Sequence, residues 1–398
     1  MSWGTAISPE LAGLRHPATI RARCANILSA VESGESPAFT VDRARLPACA
    51  DVVAGVTRRR YPSLDIPYHS RWRHFEAGGV DRAKRLDRRL DSRDPAQAAL
   101  ARIDLAIVSV LLDAGAGANW SYFDAASGQR YARSEGLGVA SFEAFGSGLF
   151  SARVDDPLRV DSSVLATIDA AALARVFQAG ETNPLVGLEG RAALLRRLGT
   201  ALPGRPASMF APLLAGAGDV AAPAILATLL DRTSAIWPSG VAIGDVPMGD
   251  VWRHRHAGGD GATAGYVPFH KLSQWLAYSL FEPFERAGRR IVDREALTAL
   301  PEYRNGGLLL DTGVLTLVDP SYALRRHPVG SELVVEWRAL TVALIDALAP
   351  LVRERLGRPE LPLACVLEGG TWAAGREIAG ARRGGEAPIA VVSDGTVF

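Results

Sequence analysis

The stretch from Trp237 to Arg304 holds the densest set of side chains able to do chemistry, among them Asp245, Asp250, His254, His256, His270, Lys271, Glu302, Tyr303 and Arg304. Lys271 stands out because lysine occurs only twice among the 44 basic residues, the other copy being Lys84. At an exposed ion pair lysine and arginine are nearly equivalent, whereas in a pocket lysine is a compact, flexible point charge. Lys84 lies in the mixed-charge run 81–89, which reads as a solvated helix face, and Lys271 lies among apolar and aromatic neighbours. His270 and Lys271 follow Pro268 at an expected helix start, where unpaired backbone N–H groups and the helix dipole favour an anion. An amine, an imidazole and a helix N-terminus together suit a phosphate; a helix start with solvent-facing polar residues is the plainer alternative.

Pro301-Glu302-Tyr303-Arg304-Asn305-Gly306-Gly307 sets a carboxylate, a phenol and a guanidinium before an apolar segment. Cleaving an N-glycosidic bond develops positive charge on the sugar, which a buried carboxylate stabilises. An exposed Glu–Arg pair at a turn is the competing reading. Asp250 with His254 and His256 has ligand types that suit divalent metals, but H-x-H beside a glycine loop without HExxH spacing reads better as a solvated loop. Asn119-Trp120-Ser121-Tyr122 mixes aromatics with polar groups able to stack a planar group and bind hydroxyls, or to pack at a loop exit. Glu368-Gly369-Gly370-Thr371-Trp372 with Arg376, and Ser393-Asp394-Gly395-Thr396, are further polar clusters at turns. His69-Ser70-Arg71-Trp72-Arg73-His74-Phe75 is a basic-aromatic string for which a surface loop is the default.

The elements that must position these residues are mostly helical. Apolar residues at three- and four-residue spacing predict helices over 98–112, 164–178, 188–198, 222–230, 269–286 and 333–356, the second preceded by capping oxygens at Asp161-Ser162-Ser163. Short β-rich runs at 363–367 and 389–392 are the expected strands. Glycine- and proline-rich stretches at 201–206, 215–223 and 238–265 are expected loops, with 254–265 mobile. The expectation is a mainly α globule with minor β content near the C-terminus. G-x-G-x-x-G after a strand, G-x-x-x-x-G-K-[ST] and G-x-S-x-G are all absent, so dinucleotide, P-loop and hydrolase-elbow readings lack support.

At 398 residues, 48% of them hydrophobic, the chain suits one large or two closely packed domains. A net charge of +1 gives no basis for nucleic-acid or membrane-surface binding. The longest largely apolar run, Leu105 to Leu112, is far short of a membrane span, and residues 1–23 lack a signal-peptide pattern. Three scattered cysteines, Cys24, Cys49 and Cys365, suit a reducing, cytoplasmic setting without disulfides.

In order along the chain, His69 to Phe75, Gly117 to Tyr122, Val267 to Leu276, Leu300 to Gly307 and Ser393 to Phe398 resemble the uracil-catabolism (URC pathway) family. More distantly, residues 119–315 are similar to the queuosine-5′-phosphate N-glycosidase family: Asn119 to Tyr122, Asn183 to Arg191, Trp237-Pro238-Ser239, His270 to Gln274, and Glu302-Tyr303-Arg304, where Glu replaces that family's Asp. The second resemblance implies a helical, DNA-glycosylase-like fold, with residues 1–118 packed on a catalytic region at 119–398. The first implies ring opening at the nucleotide level, ending in urea. Together they imply a metal-independent hydrolase, without cofactor, cleaving a ribosylurea 5-phosphate to urea and ribose 5-phosphate. On that reading Glu302 stabilises the sugar cation or positions water, and Lys271, His270 and Arg304 hold the phosphate. Asp245 or Asp250 bonds the sugar hydroxyls or ureido N–H groups, and Trp120, Tyr122 and Trp237 wall the pocket with Asn119 and Tyr303. A metal-dependent ureido amidohydrolase using Asp250, His254 and His256, and a non-catalytic binding or scaffold subunit, are the alternatives.

Overall fold

The computed structural model describes residues 7–113, 115–117, 119–238 and 240–392. Two long helices form the spine: α1 spans Pro17–Glu32, and a 25-residue helix at Glu332–Leu356 packs along it. Between these in the chain lie α2 (Leu46–Arg60), the short α3 (Trp72–Phe75), α4 (Pro95–Leu111), α5 (Arg133–Gly146), α6 (Lys271–Arg286) and α7 (Tyr303–Asp311). The long helix is therefore α8, and α9 is Trp372–Arg383. The apolar run predicted at 98–112 is α4, which is buried on nearly every face and packs against α6. Asp94 caps its first free N–H groups, and Pro95 sets the first turn. Glycine at 357, with φ +67°, stops α8 in the left-handed conformation that costs glycine little.

Among the described residues the strands form only two-stranded sheets. Phe39–Val41 pairs antiparallel with Leu315–Leu317, and Ala390–Val392 pairs parallel with Arg326–Pro328, the minor C-terminal β content expected. The run at 363–367 is not a strand: Leu363–Val366 is helical and passes into a π-helical turn, Leu367–Thr371, before α9. All of these residues are buried, and a short apolar run buried on every side carries no period to separate helix from strand. The predicted helix at 164–178 is two pieces, Ser162–Leu165 and Ala170–Val176, because Asp169 caps a new start. Residues 254–265 are anchored rather than loose: Asn26 and Arg23 bond the Ala257 carbonyl, and Glu10 accepts the Ala262 N–H.

One continuous apolar core runs from α2 and α4 through α6, α8 and the π turn. Residues on both sides of position 118 share it. No helix among the described residues is long and apolar enough to cross a membrane.

Candidate functional site

A cleft of about 450 Å³ opens where α3, α6, α7 and α9 meet. Lys271 and Trp275 reach it from the first turns of α6, Glu302, Tyr303 and Arg304 from the start of α7, and Trp372 from the start of α9. His69 and His74 face it from around α3, with Asp113 and Arg133 at its edges.

Asp250 fixes the start of α6. Its Oδ2 accepts the Lys271 N–H (3.0 Å), both oxygens take the Arg338 guanidinium (2.8 and 2.7 Å), and Oδ1 also accepts from Trp252 (2.7 Å). Burial alone would raise this carboxyl, yet the Arg338 charge and the donated hydrogen bonds hold it below its ordinary value. His270, the residue before α6, adopts φ +48°, a left-handed conformation uncommon outside glycine. That geometry delivers Lys271 to the cleft and turns the His270 ring away. Burial pushes the Lys271 ammonium below its usual value, opposed chiefly by the nearby carboxylate of Glu302.

Glu302 is the N-cap of α7: its oxygens accept the N–H groups of Arg304 (2.8 Å) and Asn305 (2.6 Å). The cap locks the carboxylate in one orientation at the cleft wall. Arg304 lies over the Trp372 ring at 4.3 Å, and Arg376 stands 5.4 Å from the same ring.

The opposite wall is a box of rings. The His69 and His74 centroids lie 5.9 and 6.5 Å from Trp372, and 6.4 and 5.7 Å from Trp275. His69 Nδ1 is 2.8 Å from Glu368 on the π turn, and Glu368 also accepts from Arg60 and Tyr61, both at 3.0 Å. Burial opposes the charge on Glu368, but these partners, His69 foremost, keep its carboxyl below the ordinary value. Arg71 sits beneath, fully buried, donating to Ser109 (2.6 Å) and to His74 Nδ1 (2.9 Å) and pairing with Asp113 (3.0 Å). Burial first, then the charge of Arg71, drives the His74 pKa well below its ordinary value.

Of the residues expected in a site, Lys271, Glu302, Tyr303 and Arg304 come together in this cleft. The others lie elsewhere. His270 Nε2 is turned to the Leu14 carbonyl (3.0 Å), and Asp250 is spent on Arg338 and the helix start. Asp245 sits exposed at the turn joining 242–243 to 246–247. Trp120 is buried, donating to the Phe177 carbonyl and stacking on that ring. Tyr122 pairs within the 121–132 hairpin, Asn119 is exposed, and Trp237 packs against the core. The residues that sequence reasoning passed over are His69, His74, Trp275, Trp372 and Asp113. For His69, His74 and Trp372 the signal was the basic-aromatic string at 69–75 and the polar turn at 368–372, two weak features that only their meeting makes strong. Trp275 and Asp113 had none beyond their place in a predicted helix or at a helix end. Ala118, Ser239 and the segment 393–398, which belong to the matched stretches, lie outside the described residues.

The trio Asp250, His254 and His256 does not converge: His254 pairs with Glu336 at 3.1 Å and His256 faces Glu35 at 3.6 Å. Among the described residues no three His, Cys, Asp or Glu side chains are grouped to hold a metal ion.

The chain is similar along nearly its whole length to curated proteins. It is 41% identical to Protein urg3 of Schizosaccharomyces pombe over 95% of this chain and 96% of that protein. It is 35% identical to Uracil catabolism protein 4 of Lachancea kluyveri, over 92% and 93% respectively. A family model described as "Protein of unknown function (DUF1688)" matches residues 13–398, and the chain belongs to that family.

Proposed function

We propose that the protein acts in uracil catabolism and hydrolyses the N-glycosidic bond of a ribosylurea 5-phosphate, releasing urea and ribose 5-phosphate. The pathway is suggested by the relative named Uracil catabolism protein 4. The observation that carries the chemistry is the juxtaposition of Lys271 and Arg304 with the capped carboxylate of Glu302 in one cleft. Lys271 and Arg304 bind the phosphate, the one as a mobile point charge and the other as a planar fork braced on Trp372. Glu302 faces the sugar as positive charge develops there, and cannot swing away because its oxygens are held by α7. The indole rings of Trp275 and Trp372 offer flat faces for the planar ureido group.

Incubating the purified protein with the ribosylurea phosphate is expected to release urea; no release from the wild type would remove the proposal. Glu302→Gln keeps a cap acceptor but loses the charge. It is expected to lower kcat by roughly 100- to 1000-fold, the range for removing one preorganised electrostatic contact. Full turnover by that variant would sink the role of Glu302 alone.

A further inference from the structure

Two imidazoles, His69 and His74, share the box of rings, and their inner nitrogens meet partners of opposite character. Glu368, an ionised carboxylate, can only accept, so His69 carries its proton on Nδ1 and leaves Nε2 as a bare acceptor. Arg71, a guanidinium, can only donate, so His74 Nδ1 is bare and its proton sits on Nε2. Among the described residues neither Nε2 has a hydrogen-bond partner, and both residues line the cleft.

We infer that His69 and His74 form a base–donor pair, His69 Nε2 drawing a proton from the attacking water and His74 Nε2–H holding the carbonyl oxygen of the leaving ureido group. This rests on the hydrolytic reading above. The water oxygen bonds to the anomeric carbon as the C–N bond breaks, and that bond's electron pair goes to the ureido nitrogen. The charge delocalises onto the oxygen held by His74, and urea forms when a proton returns to the nitrogen from solvent. His69 releases its own proton to solvent to complete the cycle.

The charged groups around the pair favour this division of labour. On the His69 side stands Glu368, itself bound by Arg60 and Tyr61. On the His74 side burial first, then Arg71, then the charge of His69 when that ring takes a proton, and then Arg304 and Arg376 disfavour a second proton on the ring. Asp113, Glu302 and Glu386 are the carboxylates lining the rest of the cleft, with Lys271 and Arg133 as its further cations. A neutral imidazole kept neutral by cations is a hydrogen-bond donor rather than an acid, and a carboxylate-backed imidazole is a base. Glu368 is the positioning residue, acting only through His69.

Long-range ¹H–¹⁵N spectra of the imidazole nitrogens at pH 7 test the pair without any substrate, with His69→Gln and His74→Gln assigning the signals. The expected spectrum shows His69 protonated on Nδ1 alone and His74 on Nε2 alone, and Glu368→Ala returns His69 to a mixture of tautomers. The opposite tautomer at either ring, a doubly protonated His74, or an unmoved His69 tautomer in folded Glu368→Ala overturns the inference. In turnover, His69→Gln is expected to lose roughly 100- to 10,000-fold in kcat with little change in KM, the usual weight of a general base. His74→Gln supplies an amide N–H in place of Nε2–H and is expected to stay within about tenfold of the wild type. Equal losses from the two replacements would overturn the assigned roles. Correct tautomers without urea release from the wild type would instead remove the substrate reading and leave the pair standing for another carbonyl compound.

Discussion

His270 and Lys271 are neighbours in the chain and opposites in the fold. The ammonium faces the cleft, while the imidazole is 2% exposed and bonded to the Leu14 carbonyl. Burial lowers the His270 pKa to about 4. The folded protein therefore binds this proton less readily than the unfolded chain does, so the stabilisation is intact above the ordinary histidine value. It is lost as pH falls from about 6.5 towards 4. The gap amounts to roughly 3 kcal/mol at its low-pH limit. Urea unfolding of the wild type is expected to show declining stability across that window, and His270→Gln, which keeps a donor for Leu14, a visibly shallower decline. An unchanged slope in the variant would show that His270 does not titrate as its burial implies. His74, also pushed down, contributes in the same direction and survives the substitution.

Helix contacts set the cleft at the next scale. Gly375 on α9 lies so close to α7 that an added Cβ would stand 2.1 Å from the Arg304 carbonyl oxygen and 2.8 Å from its carbon. Backbone atoms cannot rotate out of the way as a side-chain tip can, so the two helices must separate. Gly375→Ala is expected to cost about 1–3 kcal/mol by overpacking. It should also shift Arg304 off Trp372, raising KM for the phosphorylated substrate more than it lowers kcat. Thermal unfolding and steady-state kinetics check both; a variant with wild-type Tm and KM would mean that the α7–α9 contact is compliant. The π turn at Leu367–Thr371 acts similarly, since its extra residue per turn breaks the α-helical register and directs Glu368 to His69 while α9 begins with Trp372 in the cleft. Such a register change has no period in the sequence, and that is why 363–367 read as a strand and 368–372 as a loose polar turn.

At the scale of the molecule, α1 and α2 are packed on α8, and α4 on α6. A chain of residues 119–398 would lose His69, His74 and Asp113 from the cleft and expose the apolar faces of α6 and α8. It is expected to lack a cooperative thermal transition, measured by circular dichroism; a sharp transition near the wild-type Tm would show that the region folds by itself. The sequence alone determined the helical class, the positions of most long helices, the family, and the candidacy of Lys271, Glu302 and Arg304. Each rests on information held within a few neighbouring residues: apolar spacing, capping side chains, a rare lysine, a short motif. Tertiary structure alone decided that Asp250 serves Arg338, 88 residues away, and that His69 meets Glu368, 299 residues away. It also decided that the Nδ1 of His69 meets a carboxylate and that of His74 a guanidinium. Those outcomes depend on which buried charges find each other when the core closes, and burial makes an unpaired charge too costly for the chain to settle otherwise.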